Sequence, residues 1–397
     1  MRVALVHEFL IQQGGAEKVL EAFHELFPEA PVYTLFYDRN RTGGRYDGWD
    51  VRSSFLQKIP GALAHYKWFL PLMGWAMERF DLSGYDVVLS DSSAFAMGAL
   101  KPQKAVHICY CHTPTRYIWE NHDDYIENLP YPKFLKILAH IYIKNHQTKW
   151  DLRAALRPDW FIANSRTVQE RIKKYYARDS TVIYPPVDTE FFRPHPNPLL
   201  AKKREKGAYF LTGSRLEPYK KIDLVVQAFR KLKLPLKVIG TGTQLQELKV
   251  KSKQSKNIEF LGRVTDTNLQ KLYAQAQAFV FPALEDAGIM VLESLACGTP
   301  VIGLNKGGTA EFVRDRENGA LFANQNVQDI VAAVNRFQTM EFNSEKIRTT
   351  VLQFGKEEFK RKIFEFITRV ITSPQPSPIP EREENPLFIS PSRGGEN

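Results

Sequence analysis

Three cysteines in 397 residues are too few for a disulfide-built fold. Cys109 and Cys111 stand one residue apart in an apolar run, which is not a zinc-ligand spacing, so all three read as buried small hydrophobes in a reducing compartment. No Asp-x-Asp metal motif appears, and the consecutive Asp123-Asp124 read as a solvated pair, so no metal site is expected. No Gly-x-Gly-x-x-Gly opens a helix, which disfavours a nicotinamide-dependent dehydrogenase. The longest aromatic-apolar stretch, Trp68 to Met77, is about half of a membrane span. The opening MRVALVHEFLI is interrupted by His7 and Glu8 and has no small-residue cleavage site after it; it reads as a buried first strand, not a leader.

What is present is ordinary for a water-soluble chain: 43% apolar and 25% charged residues, with a length suited to two α/β domains. The net charge of +10 lacks any helix-turn-helix, RNP or zinc pattern, so nucleic acid is not the expected partner. From Lys133 to Arg178 basic residues far outnumber the three acidic ones, Asp151, Asp159 and Glu170. Within it, KFLKILAHIYIKNHQTKW reads in two ways: a helix lying on an anionic bilayer surface, or a core helix with a solvated basic face.

Short apolar runs alternate with helical stretches twice along the chain. Arg2–Val6, PVYTL, YDVVLS, AVHICYC, DWFIANS and TVIYP predict buried parallel strands of a first domain, 1–186. A proline- and charge-rich segment, 187–207, predicts a linker. AYFLTGSRL, LKVIGTG, IEFLGRV, AFVFPAL, PVIGL and GALF predict a second such domain, 208–355. A last helix follows over 356–372, with phenylalanines at 359, 364 and 366. The tail, 373–397, is rich in Pro, Ser and Gly and is expected to be disordered.

The segment 281–308 carries the most chemistry. A strand ends at Phe281-Pro282, a loop bears Glu285 and Asp286, and Gly288 precedes a helix. Unpaired N–H groups around Ile289 and Met290 would face an anion such as a diphosphate. Glu285 before the helix and Glu293 within it can bracket a ligand and accept bonds from its hydroxyls. In the first domain, Gly14-Gly15 before a helix lets backbone approach a phosphate or sugar.

The spacing Glu285-x7-Glu293 followed by SLACGTPVI resembles the donor-site motif of family 4 glycosyltransferases, which have the GT-B fold. GSRLEPYKKIDLVVQAF (213–229) resembles the stretch in which an Arg and a Lys of that family hold the donor diphosphate, here Arg215 and Lys220. CHTPTRYIWENHDDY resembles a subset of the family in which the histidine, here His112, meets the transferred sugar. The resemblance covers about residues 1–372; it departs at Ala287, where a bulkier residue is often found.

That likeness implies two Rossmann-like domains facing across a cleft, the last helix returning to the first domain. It implies a retaining transfer of a hexose, without metal or cofactor, from a nucleotide sugar to a saccharide or lipid-linked saccharide. Glu293 would hold the ribose, Glu285 the hexose, and Gly240-Thr241-Gly242 with Arg263-Val264 would border the base. The Glu-Asp-x-Gly-Ile form is most similar to bacterial mannosyltransferases of polysaccharide assembly, so GDP-mannose is the expected donor. The expected place is the cytoplasm, peripheral to the inner membrane face. A sugar-nucleotide epimerase of the same architecture and a non-catalytic nucleotide-sugar binder are the alternatives.

Overall fold

The computed structural model describes residues 1–194 and 209–373, except Asn121, Asn128, Pro130 and the Asp124 side chain. The part of the expected linker from 195, and the tail from 374, lie outside the described residues.

Seven parallel strands form the first sheet: β1 (Val3–Leu10), β2 (Val32–Tyr37), β3 (Val51–Ser53), β4 (Val87–Ser92), β5 (Val106–Cys111), β6 (Trp160–Ala163) and β7 (Thr181–Val182), ordered β3-β2-β1-β4-β5-β6-β7. Six form the second: β8 (Phe210–Gly213), β9 (Leu236–Ile239), β10 (Ile258–Gly262), β11 (Phe279–Phe281), β12 (Val301–Leu304) and β13 (Gly319–Phe322), ordered β10-β9-β8-β11-β12-β13. Helices cover both faces, so central strands are buried on both sides; every residue of β4, β5 and β12 is buried. This is why these strands read as continuous apolar runs rather than alternations. The short β3 carries only three residues and gave no apolar run.

Both sheets reverse their winding at one place, between β1 and β4 in the first and between β8 and β11 in the second. Ligands of doubly wound folds bind outside the carboxyl ends of strands at such switch points. Gly14-Gly15 follow β1, Arg215 and Lys220 follow β8, and Glu285 follows β11, so the motif residues sit at the two switch points.

The helix Lys356–Thr372 buries Phe359, Ile363, Phe366, Ile367 and Val370 in the core of the first domain. Their 4-3-1-3 spacing is one helical stripe. Phe359 lies 5.7 Å from the Phe23 ring and 5.8 Å from Tyr110. Phe364, one of the three phenylalanines marked in the sequence, points outward and is half exposed. The chain leaves the first domain at Val187 and returns at Gly355, and these two residues form a β-bridge.

The basic aromatic stretch divides in two: Ile143 and Gln147 are buried and Trp150 packs against the core, whereas its first ten residues stay outside it. Lys133–Tyr142 is helical and none of its residues is buried.

Candidate active site

Two helix starts face each other across the cleft. Gly288 adopts φ 58° and begins the helix Ile289–Ala296; a residue with a Cβ pays ~1–2 kcal/mol in that left-handed conformation. Opposite it, Gly14 precedes the helix Gly15–Leu26. Neither start has a side-chain cap, so both leave backbone N–H groups for a ligand. The helices approach so closely that a Cβ on Gly15 would stand 2.8 Å from Ile289 Cδ1.

Charged groups crowd around this meeting point. Lys220, buried beneath the loop after β8, ion-pairs with Glu285. Burial, then the neighbouring Arg215 and Arg116 guanidiniums, pulls the Lys220 ammonium down to about 7, with Asp286 opposing. Arg215 is exposed at the lip. Glu293, 2% exposed, receives Lys18 from the facing domain. A cavity of about 300 Å³ opens beside that pair, with Asp266, Thr267, Phe191 and Phe192 in its wall.

Asp286 was legible only as a neighbour of Glu285; it proves to be a cross-domain clamp. Arg116 donates to it from Nε at 3.0 Å and Nη2 at 2.5 Å, and Arg171 also donates to it. Glu120, which sequence proximity offers to Arg116, instead accepts from Tyr175 and pairs with Arg171 at 3.4 Å. A further tie joins the domains: Glu311 accepts the backbone N–H groups of Arg166 (2.9 Å) and Thr167 (3.0 Å) at a helix start.

His112 follows β5, and its Nε2 meets Asp91 Oδ1 at 2.5 Å; His7 Nδ1 meets the other oxygen, Oδ2, at 2.9 Å. Asp91 is fully buried at the end of β4. Burial alone would raise it, but the contacts with His112 and His7 hold its carboxyl below the usual range. Burial likewise works against both imidazolium ions, yet Asp91 outweighs it, raising His112 and lifting His7 to about 9. Glu8 and Glu17, both buried, add to this field at His7, and Glu8 adds to it at His112. His107, buried against Ser90, falls to about 3 through burial and the nearby charges of Lys101, Arg157 and Arg178. Asp151 fixes the loop that carries His112 and Arg116, accepting from Thr115 (2.6 Å), Trp119 (2.8 Å) and Tyr176 (2.9 Å).

The structure thus brings Gly14, Gly15, Gly288, Ile289, Glu293, Arg215, Lys220 and Glu285 to the facing loops, with His112 on the wall of the first domain. Arg263 donates to Gln13 across the rim at 3.1 Å, while Val264 packs into the core of the second domain. No hydrogen bond or ion pair among the described residues joins either to Lys220 or Glu285. The Gly240–Gly242 turn rests on the loop after β8, with Leu216 N–H donating to Thr241 O at 2.8 Å. Lys18, Asp91 and Arg171 were not singled out in the sequence, because each acts on a residue distant along the chain. For a metal, one grouping among the described residues has ligand atoms within 4.8 Å of one another: His122, Asp123 and His140. It shares no residue with the cleft; His122 Nδ1 contacts Tyr117 O at 3.1 Å and its Nε2 contacts His140 Nδ1 at 2.9 Å.

Two family profiles match the two halves: Glycosyltransferase Family 4 over residues 13–191 and Glycosyl transferases group 1 over residues 200–351. The chain is 26% identical over 212 residues to the uncharacterized glycosyltransferase MJ1178 of Methanocaldococcus jannaschii, covering 52% of this chain and 56% of that protein. It is 27% identical over 223 residues to a GDP-mannose-dependent alpha-(1-6)-phosphatidylinositol monomannoside mannosyltransferase of Mycolicibacterium smegmatis, covering 48% of this chain and 58% of that one. The matches span about half the length of these curated relatives. The crystal structure of Anabaena HepE in complex with UDP superposes with a TM-score of 0.68 at 17% identity, covering 93% of this chain and all of that one, which establishes the shared GT-B fold. On the two profiles and the two facing Rossmann-like sheets together, this chain belongs to glycosyltransferase family 4.

Proposed function

We propose that the protein is a retaining hexosyltransferase that moves mannose from GDP-mannose to a saccharide or lipid-linked saccharide, without a metal ion. The observation that carries this reading is the buried Lys220–Glu285 pair beside two uncapped helix starts that touch at Gly15 and Ile289.

In this reading the donor diphosphate replaces the protein's own carboxylates. Its oxygens take Lys220, Arg215 and the helix N–H groups. Glu285 turns to the hexose hydroxyls, Glu293 to the ribose, and the cavity beside Glu293 receives the nucleoside end; the family resemblance assigns Arg263 and Val264 to the border of the base. His112 meets the hexose from the other wall. As the bond from the sugar's C1 to the diphosphate oxygen breaks, negative charge grows on the leaving group. Two fixed cations and a helix dipole stabilise it; one well-placed donor is worth ~3–4 kcal/mol. The acceptor hydroxyl bonds to C1 on the face being vacated and passes its proton to the departing phosphate oxygen, which retains configuration. The work is placed in the cytoplasm, in keeping with three buried thiols and no disulfide.

Support for the donor is the GDP-mannose-dependent relative; HepE, whose complex holds UDP, supplies the contrary case. Thermal stabilisation by GDP, UDP, ADP and dTDP, each with EDTA, tests it. A ligand at a hundred times its Kd adds ~2.7 kcal/mol. GDP-selective stabilisation that disappears in Arg215→Ala is the expected result. Preference for another nucleotide overturns the mannose assignment, and no stabilisation by any overturns the site. Turnover of GDP-mannose without an acceptor product would favour an epimerase.

A further inference from the structure

The helix Lys133–Tyr142 has an apolar stripe that no described residue buries. Phe134, Ile137, Leu138 and Ile141 follow i, i+3, i+4, i+7 spacing, the pattern that ordinarily faces a core. Here they are 63%, 60%, 57% and 48% exposed. A second segment extends the same surface. Trp68 is 67% exposed and meets the Tyr131 ring at 6.0 Å, while Tyr142 donates to the carbonyl of Pro71 at 3.3 Å. Leu72 and Trp75 stand out from this segment, both more than 40% exposed.

The two segments that form this face carry basic residues and no acid of their own. Residues 131–150 contain Lys133, Lys136, Lys144 and Lys149 and no Asp or Glu. Residues 55–77 add Lys58 and Lys67, again without an acid. A protein partner would need an apolar groove lined with carboxylates to match it. An anionic bilayer supplies both chemistries: acyl chains for the stripe, phosphates for lysines that extend from it, and a boundary layer that suits indole rings. No helix among the described residues is long and apolar enough to cross a membrane, so the contact is with one leaflet.

We propose that this face docks the protein on an anionic lipid surface, with the helix Lys133–Tyr142 and the Trp68–Trp75 segment lying in the interface. The helix is also coupled to the cleft. His140 contacts His122, His122 contacts the carbonyl of Tyr117, and Tyr117 follows Arg116, which holds Asp286. Docking there brings lipid headgroups beside the wall that carries His112. For that part the inference rests on the glycosyltransferase reading and gives its acceptor class, a saccharide carried on a lipid.

Sedimentation of the full chain with phosphatidylglycerol–phosphatidylcholine vesicles, and with phosphatidylcholine alone, tests the docking. Binding to the anionic vesicles, reduced at least tenfold in 0.5 M salt, is expected. The triple variant Phe134→Ser, Ile137→Ser, Ile141→Ser should lose at least tenfold in partitioning while keeping its thermal stabilisation by nucleotide, since all three side chains are exposed. Equal binding by the variant, equal binding to neutral vesicles, or no binding overturns the proposal. So does a dimer in sedimentation velocity that this variant dissolves, because the face would then belong to a second copy. Nucleotide stabilisation is read separately, so failure of docking and failure of the donor site are distinguishable.

Discussion

Lys220 is placed where an ammonium ion is hard to keep. Its ordinary value is 10.5, and burial with two guanidiniums nearby brings it to about 7. The sign of the linkage follows. Above pH 7 the free protein holds Lys220 largely neutral, and a bound diphosphate restores the proton by raising its pKa. Binding at pH 8 should therefore take up close to one proton, and affinity should fall by up to tenfold per unit as pH rises above about 7, until the bound-state value is passed. Calorimetry in two buffers of different ionisation heat reads this directly. Uptake at pH 8 and none at pH 6 is the expected pattern; none at either would remove Lys220 from the site. Residues that bear on their own loop were readable before the fold. Glu285, Gly288 and Glu293 lie within nine positions, and their relation to a helix start follows from spacing. Lys18 and Glu293 are 275 positions apart, and no pattern in the sequence relates them.

At the scale of elements, the contact between the two helix starts is the tightest requirement. The residue at 15 must leave room for Ile289, and a diphosphate lying over both starts needs the backbone itself to come close. Gly15→Val places two methyl groups there. We expect it to weaken nucleoside diphosphate binding by at least tenfold while shifting Tm by only a few degrees, since Gly15 is at a helix end rather than in the core. Titration of the variant with GDP, alongside its melting curve, checks this; unchanged affinity would mean the ligand does not reach that helix. Strands and helices were largely legible because buried parallel strands and one-sided helices leave different periods. The role of Lys133–Tyr142 was not. A stripe of apolar residues looks the same whether a core or a bilayer covers it, and only placement in the fold decides.

At the scale of the molecule, the cleft is closed on itself. Lys18 holds Glu293, Arg116 and Arg171 hold Asp286, and Glu311 caps a helix of the other domain. A ribose that needs Glu293 competes with Lys18 for it. Lys18→Ala leaves that buried carboxylate without its cationic partner, a state a ligand's hydroxyls would relieve. Nucleotide affinity should rise roughly five- to tenfold, about 1 kcal/mol, and the ligand-free protein should show a larger radius of gyration in small-angle scattering. Weaker binding would instead make Lys18 a ligand contact. Both sheets could be counted from the sequence, but which loops face each other depends on how the domains are joined.

That joining has an outcome for how the chain acquires its shape during synthesis. The first domain is interrupted by the second and completed only by Lys356–Thr372, whose Phe359 fills the space between Phe23 and Tyr110. A ribosome delivers the second domain whole before it delivers that helix. The domain made first therefore finishes last, waiting with an open hydrophobic seam until the final helix arrives to close it.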